Sequence, residues 1–150
     1  MKRIGILGDI GSGKTYVAKN FNYPAFHADD EVGKLYKTNR KIFKKLKKAL
    51  PEYISSFPIN KKQILKAILS KKQNLKKIIA IVHLEIRNKL NIFLSKHKNK
   101  KFVILDIPLL LENKINKKKD ILIFVQSKKS DILKRLKKRK NLNKELFDRF

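Results

Sequence analysis

One segment of eight residues constrains this chain more than any other feature. It reads Gly8-Asp9-Ile10-Gly11-Ser12-Gly13-Lys14-Thr15 and matches the phosphate-binding pattern G-x-x-x-x-G-K-[ST] without a gap. Glycines let backbone N–H groups close around phosphate oxygens, and a following helix presents its positive N-terminus to the same charge. In such a loop Lys14 reaches the β- and γ-phosphates, and the Thr15 hydroxyl is a ligand of Mg²⁺. The spacing does not fit G-x-G-x-x-G, so a dinucleotide-binding fold is disfavoured.

Strands and helices alternate around this loop. Residues 3–8 predict a short buried strand, a helix is expected from Lys14 to about Phe21, and residues 24–27 predict a second strand. Continuous apolar runs at 102–107 and 121–125 are typical of parallel strands buried on both faces. The alternation predicts an α/β fold, a parallel sheet flanked by helices.

The middle of the chain predicts helices only. Apolar residues near the helical period predict one helix from about Asp30 to Leu50, and Pro51 and Pro58 bracket a loop. Further helices are expected over 61–70, about 72–97, around 129–140 and over 144–150.

The charge is strongly positive, with 39 basic against 12 acidic residues and a net charge of +27. One interpretation is a polyanionic partner, such as nucleic acid, a nucleotide or an acidic membrane surface. The other is a compositional bias toward Lys, Ile and Asn, because Lys is scattered over nearly every segment. We find no nucleic-acid motif and no aromatic stacking platform, so no specific nucleic acid is expected. Nothing in the pattern indicates a particular oligomeric state.

Several classes of protein are excluded by simple absences. The chain has no cysteine, which rules out disulfides, thiolate metal sites and cysteine nucleophiles. It has no apolar window long enough for a transmembrane helix, and its N-terminal apolar stretch is too short for a signal peptide. We therefore expect no membrane association and a cytoplasmic location.

Acidic residues follow two of the predicted strands. His27-Ala28-Asp29-Asp30 comes after the second strand, and the carboxyl ends of parallel strands share the crevice of the phosphate loop. Asp29 is a candidate base for an acceptor hydroxyl, but Asp29 or Asp30 could equally cap the next helix. Asp106 could assist Mg²⁺ through water, or it could simply end its strand.

Five segments, in order and at about the expected spacing, resemble the dephospho-CoA kinase family. They are the phosphate loop, His27-Ala28-Asp29 where the family has Asp-Ala-Asp, His83-Leu84-Glu85-Ile86-Arg87, Pro108-Leu109-Leu110-Leu111-Glu112-Asn113, and Arg135-Leu136-Lys137-Lys138-Arg139. The phosphate loop is generic, whereas the Pro-Leu-Leu-x-Glu-Asn segment is specific. The resemblance covers almost the whole chain.

The resemblance implies a P-loop kinase fold and an activity. Residues 1–30 and 98–150 would form the nucleotide-binding core with a partial lid, and residues 31–97 a helical acceptor-binding insertion. The chain would use ATP and Mg²⁺ to phosphorylate the 3′-hydroxyl of dephospho-CoA, giving coenzyme A and ADP. Another P-loop nucleoside or nucleotide kinase and a basic nucleic-acid-binding module are the alternatives.

The resemblance also implies roles for individual residues. Asp29 would be the base and Lys14 would act on the phosphates, while His83 and Arg87 would face the acceptor. Thr15 would hold the metal. The ATP site would comprise Gly8, Gly11, Ser12, Gly13, Lys14, Thr15, Tyr16 and, from the lid, Arg139.

Interpretations of the same residues that involve no function stay open. His83 could be a core-edge histidine, Arg87 a solvated charge, and residues 108–113 a plain strand exit. Arg135 and Arg139 lie among many lysines, so composition alone could account for them.

The chain also departs from the family's pattern. His27 replaces an acid and Leu84 a proline, and the family continues beyond position 150 with a helix, a strand and a terminal helix. We therefore expect the family's C-terminal segment to be missing, either because the chain is a fragment or because it is a shortened form.

Overall fold

The computed structural model of the protein describes residues 1–107 and 116–137. The strands in these ranges are β1 (Lys2–Leu7), β2 (Ala25–His27), β3 (Phe102–Asp106) and β4 (Ile121–Phe124), and they form one sheet in the order β2-β3-β1-β4. The central strand β1 runs parallel to both neighbours, so that Ile4 lies opposite Ile104 of β3 and Ile121 of β4. The predicted α/β fold with a parallel sheet is confirmed.

Helices connect the strands. They are α1 (Lys14–Lys19), α2 (Ala28–Thr38), α3 (Arg40–Ala49), α4 (Lys61–Ser70), α5 (Lys72–Lys96) and α6 (Lys129–Lys137). The predictions over 61–70 and 72–97 are confirmed to within one residue, whereas α1 ends two residues before the expected Phe21. The helix predicted over 144–150 and the end of the one predicted over 129–140 lie outside the described residues.

The prediction of a single helix between Asp30 and Leu50 is wrong, because the helix is interrupted at Asn39. This residue is extended, with φ −95° and ψ 97°, and it ends α2 and begins α3. Its side-chain oxygen accepts a hydrogen bond from the backbone N–H of Ile42 at 3.0 Å. An asparagine in this position satisfies one of the N–H groups that the first turn of a helix leaves open. The apolar period continues across the break and therefore concealed it.

The prediction that β4 is buried on both faces is also wrong. Ile121, Leu122 and Phe124 are 41%, 42% and 61% exposed, whereas the β3 residues Val103, Ile104 and Leu105 are fully buried. The difference follows from position, since β4 is the last strand of the sheet that residues 1–107 and 116–137 form and pairs there with β1 alone. An apolar run alone does not distinguish a central strand from an edge strand.

The chain divides into two compact units. Unit 1 comprises residues 1–26 and 99–150, and unit 2 comprises residues 27–98. In unit 1 the core contains Ile4, Ile6, Ala18 and Ile104, so α1 covers the sheet through Ala18. In unit 2 the long helix α5 packs against α2, α3 and α4. The buried stripe of α5 steps by four residues through Ile78, Val82, Ile86 and Leu90.

None of the helices in the described ranges has the length and apolarity that crossing a bilayer requires.

Candidate active site

The phosphate-loop sequence occupies the turn between β1 and α1. Gly8, Gly11 and Gly13 have φ angles of 139°, 81° and 101°, a region that other residues rarely adopt. At Gly8 an added Cβ would lie 2.3 Å from the carbonyl oxygen of Val125, which follows β4. At Gly11 it would lie 3.1 Å from Cγ2 of Ile132 on α6. Gly8 and Gly11 are therefore required for two reasons, their backbone conformation and the close approach of a neighbouring segment.

Lys14 lies directly over this loop. Its Nζ donates hydrogen bonds to the carbonyl oxygens of Gly8 and Asp9, each at 2.7 Å. The ammonium group is therefore held at the start of the loop, where the sequence pattern predicts contact with nucleotide phosphates.

The opposite side of the loop is held by α6 and the segment after β4. Nη1 of Arg135 donates to the carbonyl oxygens of Gly11 and Ser12, both at 3.1 Å. The hydroxyl of Ser127 donates to the same Ser12 oxygen at 2.7 Å and accepts from Arg135 Nη1 at 3.1 Å. The interpretation that composition alone accounts for Arg135 is therefore wrong, because Arg135 makes specific hydrogen bonds with the loop.

The remaining loop residues differ sharply in exposure. Ser12 is 3% exposed, and its buried Oγ has no hydrogen-bond partner within the described ranges. Gly13 is the N-cap of α1 and no side chain caps this helix, while Thr15 and Tyr16 in its first turn are exposed. An uncapped first turn leaves backbone N–H donors available. Oxygen-rich anions such as phosphates match these donors.

Asp29 lies in the first turn of α2, exposed, two residues after the end of β2. The N-cap of α2 is His27, and Asp29 and Asp30 lie inside its first turn. The alternative that Asp29 or Asp30 is the N-cap of this helix is therefore wrong. The interpretation of Asp29 as a base stays a prediction.

Next to these acids, Glu31 is fixed by two lysines of unit 2. Its carboxylate oxygens lie 2.6 Å from Nζ of Lys34 and 3.1 Å from Nζ of Lys89, so the second pair joins α2 to α5. Burial alone would raise the pKa of Glu31, but the two ammonium groups outweigh it and hold the pKa below its ordinary value. Glu31 is thus a structural anion that holds the N-terminal turn of α2.

His83 and Arg87 lie one turn apart on α5. His83 is half-buried beside the apolar stripe and Arg87 is exposed. Within the part of the chain that the structure describes, neither side chain has a hydrogen bond or an ion pair. Their spacing of four residues places them on one side of the helix. Their predicted contact with an acceptor stays a prediction.

Asp106 is the last residue of β3 and is 6% exposed. No group of three or more His, Asp or Glu side chains able to hold a metal ion by themselves occurs in residues 1–107 and 116–137. Arg139 and the segment 108–113 lie outside the described residues, so their predicted roles stay predictions.

Ser127 is the site residue that sequence reasoning missed. It comes three residues after β4, which pairs in parallel with β1, and the loop leaves β1 at the same end. The carboxyl ends of neighbouring parallel strands share one edge of the sheet. Because Ser127 follows the carboxyl end of β4, the same rule predicts that it lies near the phosphate loop.

Comparison with known proteins gives one consistent result. The family model that matches residues 2–149 is that of dephospho-CoA kinase. The dephospho-CoA kinase of the Wolbachia of Brugia malayi is 35% identical over 92 residues, which are 59% of this chain and 47% of that protein. The dephospho-CoA kinase of Thermus thermophilus is 30% identical over 90 residues, which are 58% of this chain and 43% of that protein.

A solved structure extends the likeness to almost the whole chain. The crystal structure of TT1252 from Thermus thermophilus matches with a TM-score of 0.79 and 28% identity. The match covers 99% of this chain and 78% of that one. The chain spans about half the length of the curated relatives that it matches.

Proposed function

The chain belongs to the dephospho-CoA kinase family, and on that premise we propose that it transfers the γ-phosphoryl group of ATP to the 3′-hydroxyl of dephospho-CoA. The products are coenzyme A and ADP. The observation that carries the proposal is the extent of the family match, residues 2–149. The match includes Asp29 and α5, and does not rest on the generic phosphate loop alone.

The phosphate loop would hold ATP. Gly8, Gly11, Ser12 and Gly13 would offer backbone N–H groups to the phosphate oxygens, as glycine-rich loops of this pattern do. Thr15 and Tyr16, both exposed in the first turn of α1, would extend this site. Phosphoryl transfer needs little covalent chemistry from the protein, so this cradle acts by positioning and by stabilising charge.

Lys14 would supply a positive charge at the reacting phosphate. It already lies at the loop, bonded to the carbonyl oxygens of Gly8 and Asp9. Moving the ammonium from these oxygens to β- and γ-phosphate oxygens exchanges neutral acceptors for charged ones, which form stronger hydrogen bonds. Arg139, carried over from the family's lid motif, would add a second cation.

Asp29 would act on the acceptor. The 3′-hydroxyl oxygen attacks the γ-phosphorus, the bond to the ADP oxygen breaks, and the hydroxyl proton passes to the Asp29 carboxylate. Asp29 is exposed in the first turn of α2 and is not the N-cap of this helix. His83 and Arg87 on α5 would bind the acceptor, and Arg87 suits its phosphates because guanidinium groups pair with phosphate in a bidentate manner.

Magnesium fits the oxygen donors of the site. Mg²⁺ prefers hard oxygen ligands and is usually held by one or two protein groups plus substrate phosphates. Thr15 offers a hydroxyl and Asp106 a carboxylate, and no larger acidic cage occurs in residues 1–107 and 116–137. When bound, the ion would neutralise phosphate charge. A cytoplasmic location stays a prediction.

The direct test measures ADP release by residues 1–150 with ATP, Mg²⁺ and dephospho-CoA. We expect turnover that requires dephospho-CoA, and a product whose new phosphate is on the 3′-oxygen by ³¹P and proton NMR. A 3′-deoxy analogue of dephospho-CoA is the matched control, because it retains every binding group except the attacking oxygen. ADP release that is equal with and without the acceptor would contradict the proposal.

A panel of acceptors separates the proposal from another nucleoside or nucleotide kinase. Adenosine, AMP and deoxynucleoside monophosphates are offered at the same concentration as dephospho-CoA. The proposal requires the highest kcat/KM for dephospho-CoA. A higher value for a nucleotide that lacks the pantetheine arm would assign the chain to the alternative class.

A further inference from the structure

We propose that Arg135 is a positioning residue that, together with Ser127, holds the phosphate loop in the shape that binds ATP. The inference rests on the proposed function for its ligand, but its structural part concerns unit 1 alone. Arg135 on α6 and Ser127 after β4 both bond to the loop backbone rather than to a side chain. Neither contact belongs to the sequence pattern that defines the loop.

The first step is a consequence of peptide geometry. In a trans peptide the C=O and the following N–H point in opposite directions. Arg135 and Ser127 both donate to the carbonyl oxygen of Ser12, at 3.1 Å and 2.7 Å. The N–H of Gly13 belongs to the same peptide group, so it is turned away from α6. Fixing the Ser12 carbonyl therefore fixes a donor of the phosphate cradle.

The second step is the closure of the hydrogen-bond network. A serine hydroxyl has one proton to donate and lone pairs that accept. Ser127 uses the proton on Ser12 and accepts from Arg135, and Arg135 also donates to the carbonyl oxygen of Gly11. The three groups are therefore mutually oriented, and loss of either side chain weakens the hold of the other.

The third step is the apolar packing beside this network. Leu136 is buried, and an added Cβ at Gly11 would lie 3.2 Å from its Cδ2 and 3.1 Å from Cγ2 of Ile132. Gly11 therefore lies directly against α6. One face of this helix supplies both the apolar contact and the hydrogen bonds from Arg135, so α6 sets the shape of the loop.

The experiment measures the loop directly, by hydrogen exchange of the Ser12 amide without nucleotide, because this N–H is protected by its hydrogen bond to the carbonyl oxygen of Asp9 at 3.1 Å. In Arg135→Ala we expect the Ser12 amide to exchange about tenfold faster or more, because the hydrogen bonds from Arg135 that hold the loop closed are lost. Lys134→Ala is the matched control, since Lys134 is exposed on the same helix, one residue before Arg135. It should leave the exchange unchanged. ATP affinity, measured by calorimetry, should fall about tenfold or more in Arg135→Ala and stay unchanged in Lys134→Ala.

Two further variants make the test specific for positioning. Ser127→Ala should produce the same kind of change, and the double variant should lose less than the sum, because the two side chains share Ser12. Arg135→Lys should restore part of the ATP affinity, since an ammonium group can donate to one of the two carbonyl oxygens. Ser127→Ala and Arg135→Lys also decide the matter if Arg135→Ala does not fold.

Three results would overturn the inference. Weaker ATP binding with unchanged loop exchange would make Arg135 a direct ligand of the nucleotide. Additive effects of Arg135→Ala and Ser127→Ala would show that the two side chains do not act through a shared network. Unchanged loop exchange in both variants would show that neither side chain holds the loop. Loop exchange needs no nucleotide, so a wild-type chain that failed to phosphorylate dephospho-CoA would defeat the proposed function and leave this measurement valid.

Discussion

Nζ of Lys14 and the carbonyl oxygen of Gly8 are hydrogen-bonded at 2.7 Å, although the two residues are six positions apart along the chain. The bond closes the phosphate loop on itself, from the first residue of α1 back to the end of β1. A lysine in this position acts on the conformation of the loop and, in the proposed function, on the charge of the phosphates. The two roles can be separated by measurement.

The first prediction concerns Lys14→Ala. Removing one electrostatic donor from a reacting centre costs about 10²–10³ in turnover, and we expect that loss in the ADP-release assay. Lys19→Ala is the matched control, because Lys19 is exposed at the other end of α1. Normal turnover in Lys14→Ala would mean that the phosphate loop is not the catalytic site.

The second prediction concerns Asp29→Asn. The change keeps the shape and removes the base, so turnover should fall by roughly 10²–10⁴. ATP affinity, measured by calorimetry, should change little, because the ATP phosphates are assigned to the loop. Asp30→Asn is the control one residue along the same exposed turn. If Asp30→Asn abolished turnover and Asp29→Asn did not, the base would be the neighbouring residue.

Local patterns with one physical cause were predictable from the sequence. The phosphate loop is predictable because its pattern requires glycine at positions 8 and 13, and both glycines have positive φ angles that other residues rarely adopt. The helix α5 was found because its stripe keeps the helical period through Ile78 and Leu90. In both cases the residue type reports directly on the backbone or on burial.

Features that depend on tertiary neighbours were not predictable in the same way. The break at Asn39 does not disturb the apolar period, and the exposure of Phe124 depends on which strands lie beside β4. The contacts of Arg135 and Ser127 with the loop join residues more than 100 positions apart. No local pattern predicts such long-range contacts. The shared edge of parallel strands limits the segments that can reach the loop to those that follow the neighbouring strands.

The third prediction compares two glycine substitutions. Gly11→Ala forces φ near 81° on an alanine and presses its Cβ against Ile132, so it should destabilise by about 1–3 kcal/mol. Gly33→Ala is the matched control, because Gly33 is helical and an added Cβ meets nothing within 4 Å. It should stabilise by about 0.5–1 kcal/mol. Urea unfolding measures both, and equal effects would contradict the assigned role of Gly11.

The fourth prediction concerns the net charge of +27. The exposed face of α3 carries Lys44 and Lys48 one turn apart, and like charges at this spacing cost about 0.2–0.5 kcal/mol. Lys44→Gln should therefore raise the melting temperature in low-salt buffer, and the gain should vanish at high salt, which screens the repulsion. Lys34→Gln is the contrasting control, since Lys34 pairs with Glu31 and its loss should lower the melting temperature. The same sign for both variants would contradict this account.

The last prediction is a pH dependence that follows from Glu31. The pKa of this carboxyl lies below its ordinary value of 4.5: burial alone would raise it, but the ammonium groups of Lys34 and Lys89 outweigh burial. A group with a lowered pKa adds stability above the unfolded value and loses it as pH falls through the folded value. Glu31→Gln should therefore be less stable than wild type by about 1 kcal/mol at neutral pH, and the difference should close below pH 4.5. Glu52→Gln, at an exposed residue, is the control for the loss of a carboxylate and should leave the stability at neutral pH unchanged. A gap for Glu31→Gln that persisted unchanged into acid would show that the carboxylate acts through its shape rather than its charge.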